Sequence, residues 1–252
     1  MAAAAESEDL EVPVLTRGDV EAAIRAAARR CFTTIDTDSD RSLDIDELAR
    51  YFALVTKADD RPMLSQDEAR RVATAALASA DMDHDGTLSA DEFVAAFVSR
   101  VVAELPDYLD AVAAQQFVLI ADSCRLALEA LGDAFPTEAS LQRAEARVAL
   151  RLFRACDADS DGLVSRRELE TLMRDCVVPT LYHGAGAGTD TRAETSRRLR
   201  SMDIGLDGKC SRAELLAGLD AMRREFAVSR VQWLGLCSGV FLPVLERKGR
   251  RA

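Results

Sequence analysis

Two stretches of the chain, DMDHDGTLSADE at residues 81–92 and DADSDGLVSRRE at residues 157–168, follow one twelve-residue pattern. Each has aspartate at positions 1, 3 and 5, glycine at position 6 and glutamate at position 12. Alternate carboxylates direct their oxygens toward one centre, and glycine permits the positive φ of a tight turn. The pattern therefore predicts a loop that encloses a cation.

The chemistry of these oxygens favours Ca²⁺, a hard cation that takes about six to eight oxygen ligands. The predicted ligands of the first of these stretches are Asp81, Asp83, Asp85, the carbonyl of Thr87 and Glu92, with Ser89 holding a water. Those of the other are Asp157, Asp159, Asp161, the carbonyl of Leu163 and Glu168, with Ser165 at position 9. Two complete matches in one chain predict two strong calcium sites.

Two partial copies accompany them, and we number the four loops in chain order. The first loop, DTDSDRSLDIDE at 36–47, has arginine at the turn position, and its predicted ligands are Asp36, Asp38, Asp40, the carbonyl of Ser42 and Glu47. A residue with a side chain held at positive φ costs about 1 kcal/mol, which predicts a weaker site.

The fourth loop, DIGLDGKCSRAE at 203–214, keeps the turn glycine but has Gly205 in place of the second carboxylate. Its candidate ligands are Asp203, Asp207, the carbonyl of Lys209 and Glu214. We interpret it as a weak or degenerate site that serves mainly as a partner for the third loop. The four loops together predict about three Ca²⁺ sites, with Mg²⁺ as the alternative occupant at rest.

The spacing of the loops predicts two pairs, because the first and second begin at residues 36 and 81 and the others at 157 and 203. Apolar residues precede and follow the loops at helical spacing, so each loop is expected between two helices. Position 8 is apolar in every loop, which predicts an antiparallel β-bridge within each pair. These residues are Leu43, Leu88, Val164 and Cys210.

In these motifs the chain resembles the EF-hand superfamily, the calmodulin-like and calbindin-like calcium proteins, over about residues 18–228. The resemblance implies an all-α fold of two lobes, each with paired helix–loop–helix motifs and a short loop-to-loop β-bridge, joined by an extra helix. The spacing within each pair is closer to the longer repeats of calbindin-like proteins than to those of calmodulin. Four hands in two pairs are therefore expected.

The predicted organisation has five parts. They are a disordered lead-in at 1–15, an N-terminal hand pair at 16–105, a connecting helix at 106–135, a C-terminal hand pair at 136–228, and an apolar segment with a basic tail at 229–252. The connecting helix either packs between the lobes or is released when calcium binds. A glycine-rich stretch from Pro179 to Thr189 predicts a flexible connector between the third and fourth loops.

The segment at 229–245 is strongly apolar and contains the only tryptophan, Trp233. Interrupted by Pro243, it is too short to span a membrane, which takes about 20 residues. Three interpretations stay open: it folds into the groove of its own lobe, it contacts an anionic membrane surface through Trp233, Phe241 and the basic tail, or it binds a protein partner. The first is the default and membrane contact is not favoured.

Composition restricts the function further. The net charge of −11 is concentrated in the four loops, which gives no reason to expect nucleic-acid binding. Six cysteines without a paired spacing, and an N-terminus without a secretory pattern, predict reduced thiols and a cytoplasmic location.

The chain is expected to be no enzyme, because only His84 and His183 are available as ordinary bases and no nucleophile pairs with them. The function expected is that of a calcium sensor or adaptor, which changes hydrophobic contacts with a protein target or with its own segment at 229–245. The alternative is a calcium buffer that scarcely rearranges.

Overall fold

The structure, a computed structural model, describes residues 17–57, 61–104, 123–132, 134–181, 191–203, 205 and 207–249. Several sequence predictions lie outside these ranges. They are the lead-in at 1–15, most of the connecting helix, the glycine-rich part of the connector with His183, and the end of the basic tail.

The N-terminal half is built from two helix–loop–helix units. Helices α1 (Arg17–Ile35) and α2 (Ile45–Val55) enclose the first loop, and α3 (Gln66–Ala80) and α4 (Ala90–Glu104) enclose the second. Each entering helix ends one residue before the first aspartate of its loop. A further helix, α5, is described over 123–131 and ends at Gly132, whose φ is +81°.

The C-terminal half repeats this arrangement and then extends it. Helices α6 (Glu138–Cys156) and α7 (Arg166–Leu172) enclose the third loop, while α9 (Thr191–Met202) and α10 (Arg212–Glu225) enclose the fourth. After α7 the chain continues through a π-helical turn (Met173–Val177) into α8 (Val178–Leu181). The C-terminal segment consists of α11 (Arg230–Leu236), a second π-helical turn (Cys237–Phe241) and α12 (Leu242–Gly249).

A proline follows each π-helical turn, at Pro179 and at Pro243. Proline has no backbone N–H to donate, and a wider turn accommodates its ring without ending the helix. The prediction that a flexible connector begins at Pro179 was therefore wrong for its first residues, because helix continues to Leu181.

The two predicted β-bridges are confirmed. Strand β1 (Ser42–Leu43) pairs antiparallel with β2 (Leu88–Ser89), and β3 (Val164–Ser165) pairs with β4 (Lys209–Cys210). In each pair the position-8 residues lie opposite each other and are buried. The all-α class is confirmed as well, since these short bridges are the only strands among the described residues.

One continuous apolar core runs through both halves. In the N-terminal half Phe93 lies at its centre, with ring centroids 6.0 Å from Phe32 and 6.2 Å from Tyr51. Arg50 of α2 donates to the Thr37 hydroxyl (2.6 Å) and to the Gly132 carbonyl at the end of α5 (2.9 Å). The first loop is thereby tied to the end of α5. The domain boundaries stay a prediction.

The C-terminal segment packs closely on the C-terminal half. Val231, Leu234, Phe241 and Leu242 are at most 2% exposed, and the Trp233 ring stands edge-on to Phe241 with centroids 5.8 Å apart. Ion pairs fasten both of its ends. They join Arg230 to Glu138 and Glu145, Glu246 to Arg151, and Lys248 to Asp175.

Within the described part of the chain, no single helix has the length and apolar character to cross a membrane. The helices Arg212–Glu225 and Arg230–Lys248 meet those criteria only when taken together, and they are bent by 119° relative to each other.

Candidate metal centres

The second loop gathers three of its predicted ligands. Oxygens of Asp81, Asp83 and Asp85 lie within 4.8 Å of one another. Gly86 adopts a φ of +88°, and its amide donates to Asp81 Oδ2 at 3.0 Å. The other oxygen, Asp81 Oδ1, accepts from the His84 amide at 2.7 Å, so backbone donors fold the chain around this carboxylate.

The third loop has the same backbone path. Gly162 has a φ of +82°, and its amide donates to Asp157 Oδ2 at 3.1 Å. The other oxygen of that carboxylate, Oδ1, is buried without a hydrogen-bond partner. A buried carboxylate oxygen without a donor is costly unless a cation binds it, so this oxygen fits a calcium ligand.

The third cluster differs from the second in one member. Its oxygens within 4.8 Å of one another come from Asp157, Asp159 and Glu168, and among the described residues Asp161 does not belong to this group. Oδ2 of Asp161 instead accepts a hydrogen bond from the Lys209 ammonium of the fourth loop. The loop pattern predicts a role only for the backbone carbonyl of Lys209, not for its side chain.

The first loop folds like the complete ones despite its arginine. Arg41 takes a φ of +72°, the conformation that glycine occupies elsewhere, and its amide donates to Asp36 Oδ2 at 3.2 Å. Asp36, Asp38 and Asp40 form a group within 4.8 Å, and Asp36 Oδ1 is buried without a partner. Its donor set therefore fits a cation as well, with strain at Arg41.

The fourth loop folds around Asp203 much as the second folds around Asp81. Both oxygens of Asp203 accept backbone hydrogen bonds, one from Asp207 (3.1 Å) and the other from Gly208 (2.7 Å). Oε1 of Glu214 accepts from the Gly205 amide at 3.2 Å. Over its described residues this loop has no group of three carboxylates within 4.8 Å, and its status as a degenerate site stays a prediction.

Positions 9 and 12 have a second role that the sequence analysis missed. In the third loop Ser165 caps α7, and Glu168 accepts from the Ser165 amide and hydroxyl, both at 2.8 Å. Equivalent bonds join Ser89 to Glu92 and Ser211 to Glu214. The sequence does contain the signal for this role, because serine followed three residues later by glutamate is a capping-box pattern.

The first loop has Asp44 in place of that serine, which changes the charge around its glutamate. The Ser89 hydroxyl and the amides of Ser89 and Met82 lower the pKa of Glu92 to about 2. Burial instead raises the pKa of Glu47, and the amides of Thr37 and Asp44 only partly offset that effect. The charged form of the position-12 carboxylate is therefore less stable in the first loop than in the second.

A comparison with known protein families identifies the motif. The family model described as EF hand matches residues 75–98 and 150–173, which contain the second and third loops with parts of their helices. These two segments are therefore similar to EF hands. No curated protein matches the chain. EF hands imply Ca²⁺ binding, and the clustered carboxylates of both loops agree with it.

Proposed function

We propose that the chain is a calcium sensor with about three sites, in the first, second and third loops. The first and fourth loops complete two pairs of hands, as in calmodulin-like or calbindin-like proteins. Each of the four loops lies between two helices and is bridged to its neighbour, which supports this arrangement. We propose no catalytic activity, and a cytoplasmic location in view of the unpaired cysteine spacing.

The observation that carries the sensor proposal is an apolar cavity of about 740 Å³ in the N-terminal half. Its wall comes from α2, α3, the second loop and α4. It includes Leu48, Phe52, Val55, Val72, Leu88 and Phe97. Val72 is 37% exposed, and Phe52, Val55 and Phe97 are only partly buried. Ion binding that moves α4 relative to α3 would widen this surface, and a partner protein would then cover it.

The C-terminal half presents a different surface. Its cavity measures about 190 Å³ and is bounded by Leu152 and Leu219 on one side and by Trp233 and Cys237 of the C-terminal segment on the other. The segment at 229–245 thus occupies the place of a target in this half. We propose that it is an internal partner of the C-terminal hands, with external contacts made by the N-terminal cavity.

The alternative function, a calcium buffer, is favoured by this same packing. A groove already filled by buried side chains gains little from opening. If the N-terminal half also keeps its shape on binding, the whole chain acts as a buffer.

Calcium titration with two optical signals tests whether the chain is a sensor or a buffer. Trp233 is the only tryptophan, so its fluorescence reports on the C-terminal segment, while an apolar dye reports on exposed surface elsewhere. A sensor shows increased dye binding as calcium fills the second loop, and Glu92→Gln abolishes this change whereas Glu168→Gln does not. Ion binding without any change in dye or Trp233 signal would establish the buffer.

A further inference from the structure

Lys209 of the fourth loop contacts a predicted calcium ligand of the third. Its ammonium donates to Asp161 Oδ2. The β-bridge positions it there, because Lys209 lies opposite Ser165 in the antiparallel register of β3 and β4. The contact therefore follows from the backbone pairing of the two loops.

Among the described residues, no backbone amide donates to this oxygen of Asp161. Asp161 Oδ1 accepts from the Leu163 amide at 2.8 Å. The position-5 aspartates of the first and second loops accept equivalent bonds from Ser42 and Thr87, also at 2.8 Å. The backbone bond to Asp161 is thus ordinary for these loops, but its side-chain contacts differ. Asp40 and Asp85 also accept from the hydroxyls of Ser42 and Thr87, both at 2.9 Å, whereas Leu163 has no hydroxyl and Lys209 contacts Asp161 instead.

The third loop also differs from the first and second in the residues that form its carboxylate cluster. In the first and second loops the position-5 residues, Asp40 and Asp85, belong to the group of oxygens within 4.8 Å. In the third loop the group comprises Asp157, Asp159 and Glu168, and Asp161 is outside it as far as the described residues extend. The aspartate held by Lys209 is the one that does not join its cluster.

The N-terminal pair provides an internal comparison. Ser42 of the first loop occupies the position equivalent to Lys209 and lies opposite Ser89. Its hydroxyl donates to Asp40 Oδ1 at 2.9 Å, within its own loop, and it brings no charge to the second loop. The two complete EF hands therefore differ in whether the neighbouring loop places a cation beside their carboxylates.

We propose that Lys209 is an intramolecular competitor of Ca²⁺ at the third loop, which lowers the calcium affinity of this loop below that of the second. For the ion to engage Asp161, the ammonium must leave Oδ2. Lys209 is 40% exposed, so its flexible side chain can swing into solvent. The inference rests on the calcium binding proposed for the third loop, but not on the sensor role.

The size of the effect follows from the exposure of the pair. Because the side chains of Lys209 and Asp161 are 40% and 35% exposed, solvent screens their attraction. Removing the charge is expected to tighten calcium binding about two- to fivefold, as for an exposed ion pair. Added salt should reduce this difference.

Calorimetric calcium titration in an E47Q/E92Q/E214Q background, which leaves the third loop, tests the proposal. Lys209→Met keeps the length of the side chain without its charge and should bind calcium about two- to fivefold more tightly. Lys209→Arg keeps the charge and should match the parent. Circular dichroism of the metal-free proteins verifies that each variant folds.

The reciprocal experiment introduces a lysine at the equivalent position of the N-terminal pair of loops. Ser42→Lys, in an E47Q/E168Q/E214Q background that leaves the second loop, should weaken calcium binding there by a similar factor. Equal affinities for Lys209→Met and its parent would overturn the role of Lys209. If Glu168→Gln in the otherwise unaltered chain left the number of tight sites unchanged, the assignment of the third loop would fail instead, so the two failures are distinguishable.

Discussion

Gly235 of α11 approaches α5 so closely that a β-carbon on it would lie 1.9 Å from the Ser123 carbonyl oxygen. One turn further along, a β-carbon on Gly239 would lie 2.3 Å from the side chain of Leu126. Because these two glycines have no side chains, α5 packs directly against the backbone of the C-terminal segment. The C-terminal segment is thus packed between α5 on one side and the apolar surface of the C-terminal hands on the other.

Gly235→Ala is therefore expected to destabilise the chain. The obstacle is backbone, which cannot move aside as a side chain can, and overpacking of this kind costs about 1–3 kcal/mol. Urea denaturation followed by Trp233 fluorescence measures the change. Gly218→Ala is the matched control, since the three atoms nearest to a β-carbon there all belong to the Met202 side chain rather than to backbone. A loss at Gly218 as large as at Gly235 would contradict the close packing of α5.

The calcium stoichiometry is expected to be two strong sites and one weaker. Glu92→Gln together with Glu168→Gln should abolish the strong sites, because each glutamate supplies two oxygens to its ion. Isothermal calorimetry measures both the number of sites and their affinities. Glu214→Gln is the control, and it should leave the strong sites intact. Tight binding retained in the double variant would refute the assignment.

Arg41→Gly should strengthen the first loop. Arg41 has a φ of +72°, and relief of that strain is worth about 1 kcal/mol before the extra flexibility of glycine in the unfolded chain is subtracted. The free energy of unfolding in chelator should rise by up to about 1 kcal/mol, and the weakest calcium site should tighten. Gly86→Arg is the reverse exchange, and it should weaken the second loop. If neither exchange altered calcium affinity or the free energy of unfolding, strain would be excluded as the cause of the difference between the loops.

The pair of Lys248 and Asp175 predicts a pH-dependent contribution to stability. Burial acts to raise the pKa of Asp175, but hydrogen bonds from Arg174 and Lys248 outweigh it, and the pKa lies below its ordinary value of 3.8. A carboxylate with a lowered folded pKa stabilises the fold above its unfolded pKa, and this stability is lost as pH falls through the folded pKa.

Asp175→Asn should therefore lower the free energy of unfolding by about 0.5–1 kcal/mol at neutral pH, and the deficit should shrink as the pH falls below 3.8. Denaturation over a pH series measures this dependence. Lys248→Met leaves Arg174 beside Asp175 and should cost less. An equal deficit at all pH values would show that the effect is steric.

Much of the fold and of the candidate sites could be predicted because the decisive signals are local. Loop ligands lie within twelve residues of one another, and an apolar residue at position 8 was sufficient to predict the bridge between Leu43 and Leu88. The path of Arg41 could be predicted for the same reason. Its loop has the same length as the complete ones and also ends in a capping box, with Asp44 in place of serine.

What the sequence did not predict depends on contacts between distant segments. The predicted bridge between Val164 and Cys210 also sets Lys209 opposite Ser165, but the sequence pattern does not show that the lysine side chain reaches Asp161 of the neighbouring loop. The helix beyond Pro179 depends on a π-helical turn, which departs from the usual rule that proline ends a helix. The close approach at Gly235 likewise requires knowledge of which helix lies beside it.

The capping boxes at the loop ends order two of the predicted calcium ligands before an ion binds. Bonds from Ser89 and Ser165 hold Glu92 and Glu168 in place through the backbone of α4 and α7, independently of any ion. Much of the entropic cost of ordering these ligands is therefore met when the chain folds, which leaves more of the interaction energy to appear as affinity. Glutamine preserves such a cap whereas alanine removes it, so only the glutamine variants separate loss of the ion from unravelling of the helix.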